Sequence, residues 1–325
     1  MKIIKNKKVA FGMLTIASLF GIQSAMAEFP ERPVTIVVPY PAGGATDVIA
    51  RILSSELPNV WSQPVPVENR PGAGTTVASA SVARSEGDGH TLYMTTAAHT
   101  ISASLHDNLS YSPLDDFAPV TLVATIPLVL VVSSAFPVDN ISEFTEAARD
   151  IEGGLTFAST GYGTPQHLTG ALFSSEAGVD LVHVPYQGDA PMLTALLGAQ
   201  ADFAFVTLSA ALPYLKDGDL KAIAVAHPQR VEAIPNIPTF EESGMPGFVA
   251  ATWFGMLAPA STPEELRQKI YEDVSGIVAD PKVTQRLQEM GGEVNNSPPQ
   301  DFADFIAAEA ERWAEGVRVS GAEAN

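Results

Sequence analysis

The chain of 325 residues has no cysteine. That excludes disulfides, thiolate metal sites and the acylated cysteine that tethers some exported proteins to lipid. Positive charge is scarce: 18 Lys and Arg stand against 37 Asp and Glu, a formal balance of −19. Such a surface repels nucleic acid and anionic lipid, so neither is expected as a partner. The ligand stays open, because a site can be polarised locally against the global charge. Long apolar runs are rare too. The most prominent, Val9 to Ile22, follows Lys2, Lys5, Lys7 and Lys8 and precedes Ala25-Met26-Ala27. A basic start, an apolar stretch and an A-x-A site together make a secretory signal peptide. The run is 14 residues long, short of the roughly 20 apolar residues of a spanning helix. Cleavage is expected after Ala27, which removes four positive charges and takes the balance to −23.

Catalytic and nucleotide signatures are also missing. There is no G-x-S-x-G elbow and no phosphate loop ending in Gly-Lys-Ser/Thr. Gly72-x-Gly74 is followed by Val77 and Gly161-x-Gly163 by Gln166, where a dinucleotide fingerprint needs a third glycine. None of the six histidines forms H-x-x-x-H, so neither a metal nor a cofactor is expected. His90, His106 and His227 read as loop or surface residues. His99, His167 and His183 are candidates for hydrogen bonding in a cleft, with a structural role as the alternative for each.

What is present is the pattern of an α/β protein. Hydrophobic residues make up 46% of the chain, and 298 residues remain after residue 27, more than one core usually serves, so two lobes are expected. Short β-branched runs alternate with helical patterns: Val34–Val38, Thr91–Thr96, Leu128–Ser133, Leu155–Ser159, Leu181–Pro185, Ala201–Val206, Lys221–Ala226 and Ala251–Leu257. This alternation predicts mostly parallel sheets flanked by helices. Thr262-Pro263-Glu264-Glu265 reads as a capping box opening a helix with Leu266, Ile270, Val274 and Ile277 on one face, and Ser297-Pro298-Pro299-Gln300 repeats the device. The chain is expected to cross between lobes near Val123–Pro127 and to return near Pro246–Ala251. Lobe 1 is then 28–125 with 249–325, and lobe 2 is 126–248.

Two segments point to binding. After the first strand comes Pro39-Tyr40-Pro41-Ala42-Gly43-Gly44-Ala45-Thr46-Asp47, then a helical pattern. Glycines let a backbone approach a ligand, and the first amides of a helix have no internal acceptor, so this loop suits a carboxylate or phosphate. Thr160-Gly161-Tyr162-Gly163-Thr164-Pro165-Gln166-His167 repeats the arrangement in the second lobe. A ligand with acidic groups would join the two lobes across a cleft. A glycine loop before a helix also serves as a mere tight connection, and Asp47 in a first helical turn is ordinarily a dipole partner rather than a base. Tyr40, Tyr162, Tyr186, Trp253 and Phe254 are candidates for an apolar wall, with core packing as the alternative.

The sequence resembles the Bug family, the periplasmic receptors of tripartite tricarboxylate transporters. The resemblance runs through Arg32–Pro39, Gly43–Asp47, Val67–Gly74, Asp88–Leu92, Asp115–Val120, Gly163–Leu168, Val182–Gly188 and Trp253–Pro259, in that order. It implies a two-lobe type II periplasmic-binding-protein fold with a carboxylate ligand in an interlobe cleft. The expected role is a monomer without catalytic activity that delivers a small di-, tri- or aromatic carboxylate to membrane permease subunits. The alternative is a periplasmic ligand sensor using the same clamp. The expected cleft residues are Tyr40, Ala42, Gly43, Gly44, Thr46 and Asp47, then Thr95, Ala97 and His99, then Thr160, Gly161, Gly163, Thr164 and His167, with Tyr186 and Val206; of these the resemblance implies Asp47 and the Thr95–His99 and Thr160–His167 segments. Three positions depart from the family pattern. Val206-Thr207 stands where many members have Asp-Asn, His90 where tyrosine is usual, and Asp189 where a small neutral residue is common. The first implies a more apolar wall and no partner for an amino acid's ammonium group.

Overall fold

The computed structural model describes residues 29–105 and 108–320, so the expected signal peptide and His106 lie outside them. Lobe 1 opens with β1 (Thr35–Val38), α1 (Ala45–Trp61), β2 (Val67–Asn69), a 3-10 turn, α2 (Thr76–Ala83), β3 (Thr91–Thr96) and α3 (Ala98–Leu105). The long strand β4 (Phe117–Ser133) leads into α4 (Ile141–Asp150), β5 (Leu155–Ser159), α5 (Pro165–Ala177), β6 (Leu181–Pro185), α6 (Asp189–Leu197), β7 (Phe203–Thr207), α7 (Leu208–Asp217) and β8 (Leu220–Val225). The return strand β9 (Ala251–Pro259) is followed by α8 (Glu264–Val278), α9 (Pro281–Glu289), β10 (Glu293–Val294) and α10 (Pro299–Ser320).

The main path of strands runs β2-β1-β3-β9-β4-β7-β5-β6, with β8 and β10 also pairing with β4. Strand β4 belongs to both lobes. Up to Pro127 it pairs with β9, and from Leu128 onward with β7 and β8. Alternating strands and helices predict mostly parallel sheets, but among the described residues only four pairings are parallel, β1 with β2 and β3 and β5 with β6 and β7, against five antiparallel ones. Every antiparallel pair involves β4 or β9, the strands that carry the chain between lobes and so run against their neighbours. The first half of β4 is not among the strands read from the sequence, because Pro119 and Pro127 interrupt the run. Both are accommodated opposite β9, whose pairing with β4 is irregular at Pro119/Thr121 and Leu122/Ala124.

The two-residue period of β4 sorts its side chains between cores. Leu128, Leu130 and Val132 join a cluster rich in phenylalanine with Phe144, Phe173, Phe203 and Phe205, whereas Val129 and Val131 face Met192, Leu196 and Leu212 of α6 and α7. In lobe 1, Ile49, Leu53 and Leu57 of α1 pack under the sheet. Phe302, Ile306 and Trp313 of α10 cover its other face beside Trp253. The expected capping boxes do not form. Helix α8 starts at Glu264 with Pro263 at the cap, so Thr262 sits one residue too early, and its buried hydroxyl has no partner. Ser297 likewise precedes the start of α10, and its carbonyl accepts from Thr121 Oγ1. Among the described residues no helix is long and apolar enough to cross a membrane.

Candidate functional site

A narrow cavity, partly open to solvent, lies between the lobes. The β1–α1 loop supplies Tyr40, Pro41, Ala42, Gly44, Ala45 and Thr46, and β3 supplies Thr96. Lobe 2 supplies Thr160, Gln166, Asp189, Ala190 and Thr207, and β9 supplies Thr252 and Phe254. Four helices begin at this lining: α1 at Ala45, α5 just before Gln166, α6 at Asp189, and α7 directly after Thr207. Helix N-termini carry partial positive charge and unpaired amides. These helix starts favour an anion, although among the described residues no lysine, arginine or histidine lines the cavity and Asp189 adds a carboxylate to it.

In the first loop, the Tyr40 hydroxyl is hydrogen-bonded to Thr96 Oγ1 at 2.9 Å, and burial pushes its pKa well above the usual phenol range. Gly44 caps α1 with no side-chain acceptor, and Val48 is the first residue whose amide bonds back, to Gly44 O at 3.0 Å. The amides of Gly44, Thr46 and Asp47 thus have no helical acceptor. Gly43 differs: its N–H donates to Asp47 Oδ2 at 2.9 Å and is not available to a ligand. Asp47 does not line the cavity. Its buried carboxylate also accepts from Arg51 Nε and Asn69 Nδ2, both at 2.9 Å, and Asn69 donates in turn to the Tyr40 carbonyl. Burial alone would raise the Asp47 pKa, but the bonds from Arg51, Gly43 and Asn69 outweigh it and hold the group below the usual carboxylate range. Asp47 therefore fastens the loop to β2.

The second loop also spends amides on itself. Gly161 N–H donates to Ser159 Oγ and Gly163 N–H to His167 Nδ1, while Thr164 caps α5 by accepting from His167 N–H. What this lobe turns toward the cavity is a chain of buried side chains. Thr160 Oγ1 donates to Gln166 Oε1, and Gln166 Nε2 donates to Thr207 Oγ1, each at 3.1 Å. From α6, Asp189 Oδ2 accepts from Ala45 N–H at 3.3 Å, tying the lobes together.

Of the residues expected at the cleft, Tyr40, Ala42, Gly44, Thr46 and Thr160 line this cavity. Gly161 and Tyr186 line a neighbouring, roomier one, which shares Tyr40 and Thr160 and is bounded by Gly72–Thr75 of lobe 1. The others lie elsewhere. Thr95 and Ala97 are buried on the far side of β3 from Thr96, because adjacent strand residues face opposite ways. His99 is a core residue: its Nε2 donates to the Pro113 carbonyl at 2.8 Å and its ring meets Phe117 edge-on at 4.5 Å. Burial lowers its pKa to about 4 despite that bond, so it is neutral. His167 and His183 stack at 3.9 Å beneath the second loop, lowered by burial to about 4 and about 3. Gly163 touches α3, where a Cβ would come within 2.5 Å of Leu105. Val206 is fully buried and pairs with Val129, so Thr207, not Val206, faces the cavity, and the wall there carries a hydroxyl. Trp253 packs on Phe302, leaving Phe254 at the lining. Thr96, Gln166 and Thr207 lie in segments already singled out, but strand parity and helix phase were needed to select them. Among the described residues, no three His, Asp or Glu are placed to hold a metal ion.

The sequence model of the family described as "Tripartite tricarboxylate transporter family receptor" matches residues 49–321. BugT of Bordetella pertussis is 32% identical over 296 residues, covering 90% of this chain and 91% of that protein. The solved periplasmic binding protein BugD is 34% identical with a TM-score of 0.85, covering 91% of this chain and 99% of its own. Rpa4515 of R. palustris, solved with adipate, is 31% identical with a TM-score of 0.86, covering 90% and 99%. The chain belongs to the receptor family of tripartite tricarboxylate transporters, periplasmic solute-binding proteins that share the two-lobe fold described above.

Proposed function

We propose that this chain captures a small carboxylate in the cavity between its lobes and delivers it unchanged to the permease subunits of a tripartite tricarboxylate transporter. The observation that carries this reading is the convergence of four helix starts, one from lobe 1 and three from lobe 2, on one cavity. A ligand touching both lobes binds the closed form better than the open one, which is what drives closure. The similarity to Rpa4515, solved with adipate, supports the same ligand class. Export with cleavage after Ala27, and function as a monomer with lobes 28–125 plus 249–325 and 126–248, belong to this proposal.

A thermal-shift screen of mono-, di-, tri- and aromatic carboxylates tests it. A ligand at about 100 times its Kd adds about 2.7 kcal/mol to the folded state. Absence of a shift with every acid would refute the reading, as would recovery of a chemically altered ligand. Loss of uptake on gene deletion distinguishes a transport receptor from a sensor, for which uptake persists and a transcriptional response is lost.

A further inference from the structure

Asp189 does not fit a plain anion site. It is the first residue of α6, and it reaches across to the start of α1. Its Oδ2 holds the Ala45 amide and lies 2.9 Å from where a Cβ on Gly44 would stand. A carboxylate of the protein thus occupies part of the approach that helix geometry offers to a ligand carboxylate. Its other oxygen, Oδ1, is buried and has no hydrogen-bond partner among the described residues. The lining around it is neutral: the Tyr40 hydroxyl is bonded to Thr96, Gln166 bridges Thr160 and Thr207, and Thr252 adds a hydroxyl. Burial raises the Asp189 pKa, opposed by the bond from Ala45. A second and third carboxylate in the same low-dielectric space would not all stay ionised without a cation. An ammonium group relieves both faults, giving Oδ1 a donor and the carboxylate a countercharge.

We propose that Asp189 sets the ligand class of this cavity as an amino-carboxylate, whose ammonium group pairs with Asp189 Oδ1 while its carboxylate takes the free amides and hydroxyls of the lining. The assignment rests on the reading of the cavity as a carboxylate site and narrows it. It also removes the reason, drawn from Val206-Thr207, for expecting an ammonium group to lack a partner. The partner comes from the neighbouring helix.

The test is calorimetric titration of the wild type, D189N and D189A at neutral pH with acids matched in chain length: succinate against 4-aminobutanoate, adipate against 6-aminohexanoate, and the α-amino monocarboxylates of the same lengths. The wild type is expected to prefer the best amino-carboxylate to its matched dicarboxylate by about tenfold or more, the scale of one charge-assisted hydrogen bond. Both variants are expected to lose that preference. A preference that both variants leave unchanged, in either direction, overturns the role of Asp189 and leaves the cavity a carboxylate site. If the three folded proteins bind none of these acids, the reading of the cavity and the role of Asp189 fall together.

Discussion

Replacing Asp47 with asparagine tests whether this carboxylate builds the first loop or meets the ligand. The side chain is 3% exposed and accepts three donors at 2.9 Å: Gly43 N–H and Arg51 Nε on Oδ2, and Asn69 Nδ2 on Oδ1. Asparagine keeps one oxygen and sets an NH2 group against a donor. Asn69 cannot turn to meet it cheaply, because its own amide also donates to Tyr40 O and its oxygen accepts from Arg51 Nη2. A hydrogen bond to a charged group contributes about 1.5–3 kcal/mol. The Arg51 pair is half-exposed and adds about 0–1 kcal/mol. Asp47→Asn is therefore expected to cost about 2–4 kcal/mol, which lowers Tm by about 3–6 °C for a chain of this size. Because the folded pKa is depressed, the carboxylate's contribution is complete above its unfolded value near 3.9 and is lost as pH falls through the lower folded value. The gap between wild type and variant, measured by urea unfolding, should be constant near neutrality and shrink below about pH 4. A variant within about 0.5 kcal/mol of wild type that has nonetheless lost ligand binding would refute this and put Asp47 in direct contact with the ligand.

Other consequences concern packing, closure and acid stability. Gly44 has φ −78° and ψ 169°, open to any residue. Gly44→Ala should hold stability within about 1 kcal/mol yet weaken ligand binding by about tenfold, since its Cβ meets Asp189; undiminished affinity would mean that this contact is absent from the bound state. Gly255→Ala would place a Cβ 2.1 Å from Phe302 Cζ, and should cost about 1–3 kcal/mol or more; an unchanged urea midpoint would contradict the seating of α10 on β9. His99, near Tyr93 and Tyr111 and lowered to about 4, resists protonation while folded. Its unfolded form takes up a proton below about pH 6.5, so stability is lost as pH falls from there to about 4, by up to about 3 kcal/mol. His99→Gln should flatten that slope by about one proton with ligand affinity unchanged, and an unaltered slope would refute the burial argument.

Local chemistry made much of the molecule legible. The β-branched runs marked Thr91–Thr96, Leu155–Ser159 and Leu181–Pro185 to the residue, because strand preference and flanking turns are short-range properties. Glycines ahead of apolar helical patterns located both loops, and Tyr40, Gly44, Thr46 and Thr160 of those loops line the cavity. Fewer loop amides are free than the glycines suggest. Gly43, Gly161 and Gly163 donate to Asp47, Ser159 and His167, and a loop's own side chains reach back in ways that residue order alone does not reveal. His99 and Val206 lie in segments that reach the cleft, but burial and strand parity put them in the core.

The chain by itself determined that there would be alternating strands and helices, two glycine loops opening helices, and a strongly acidic protein without thiols, since each follows from residue type and near-neighbour spacing. Tertiary structure decided which members of those segments share a space. Asp189 and Ala45, 144 residues apart, meet because β4 and β9 bring the lobes face to face. Strand register and helix phase, which arise from packing, then determine which atoms of each loop point into the cavity.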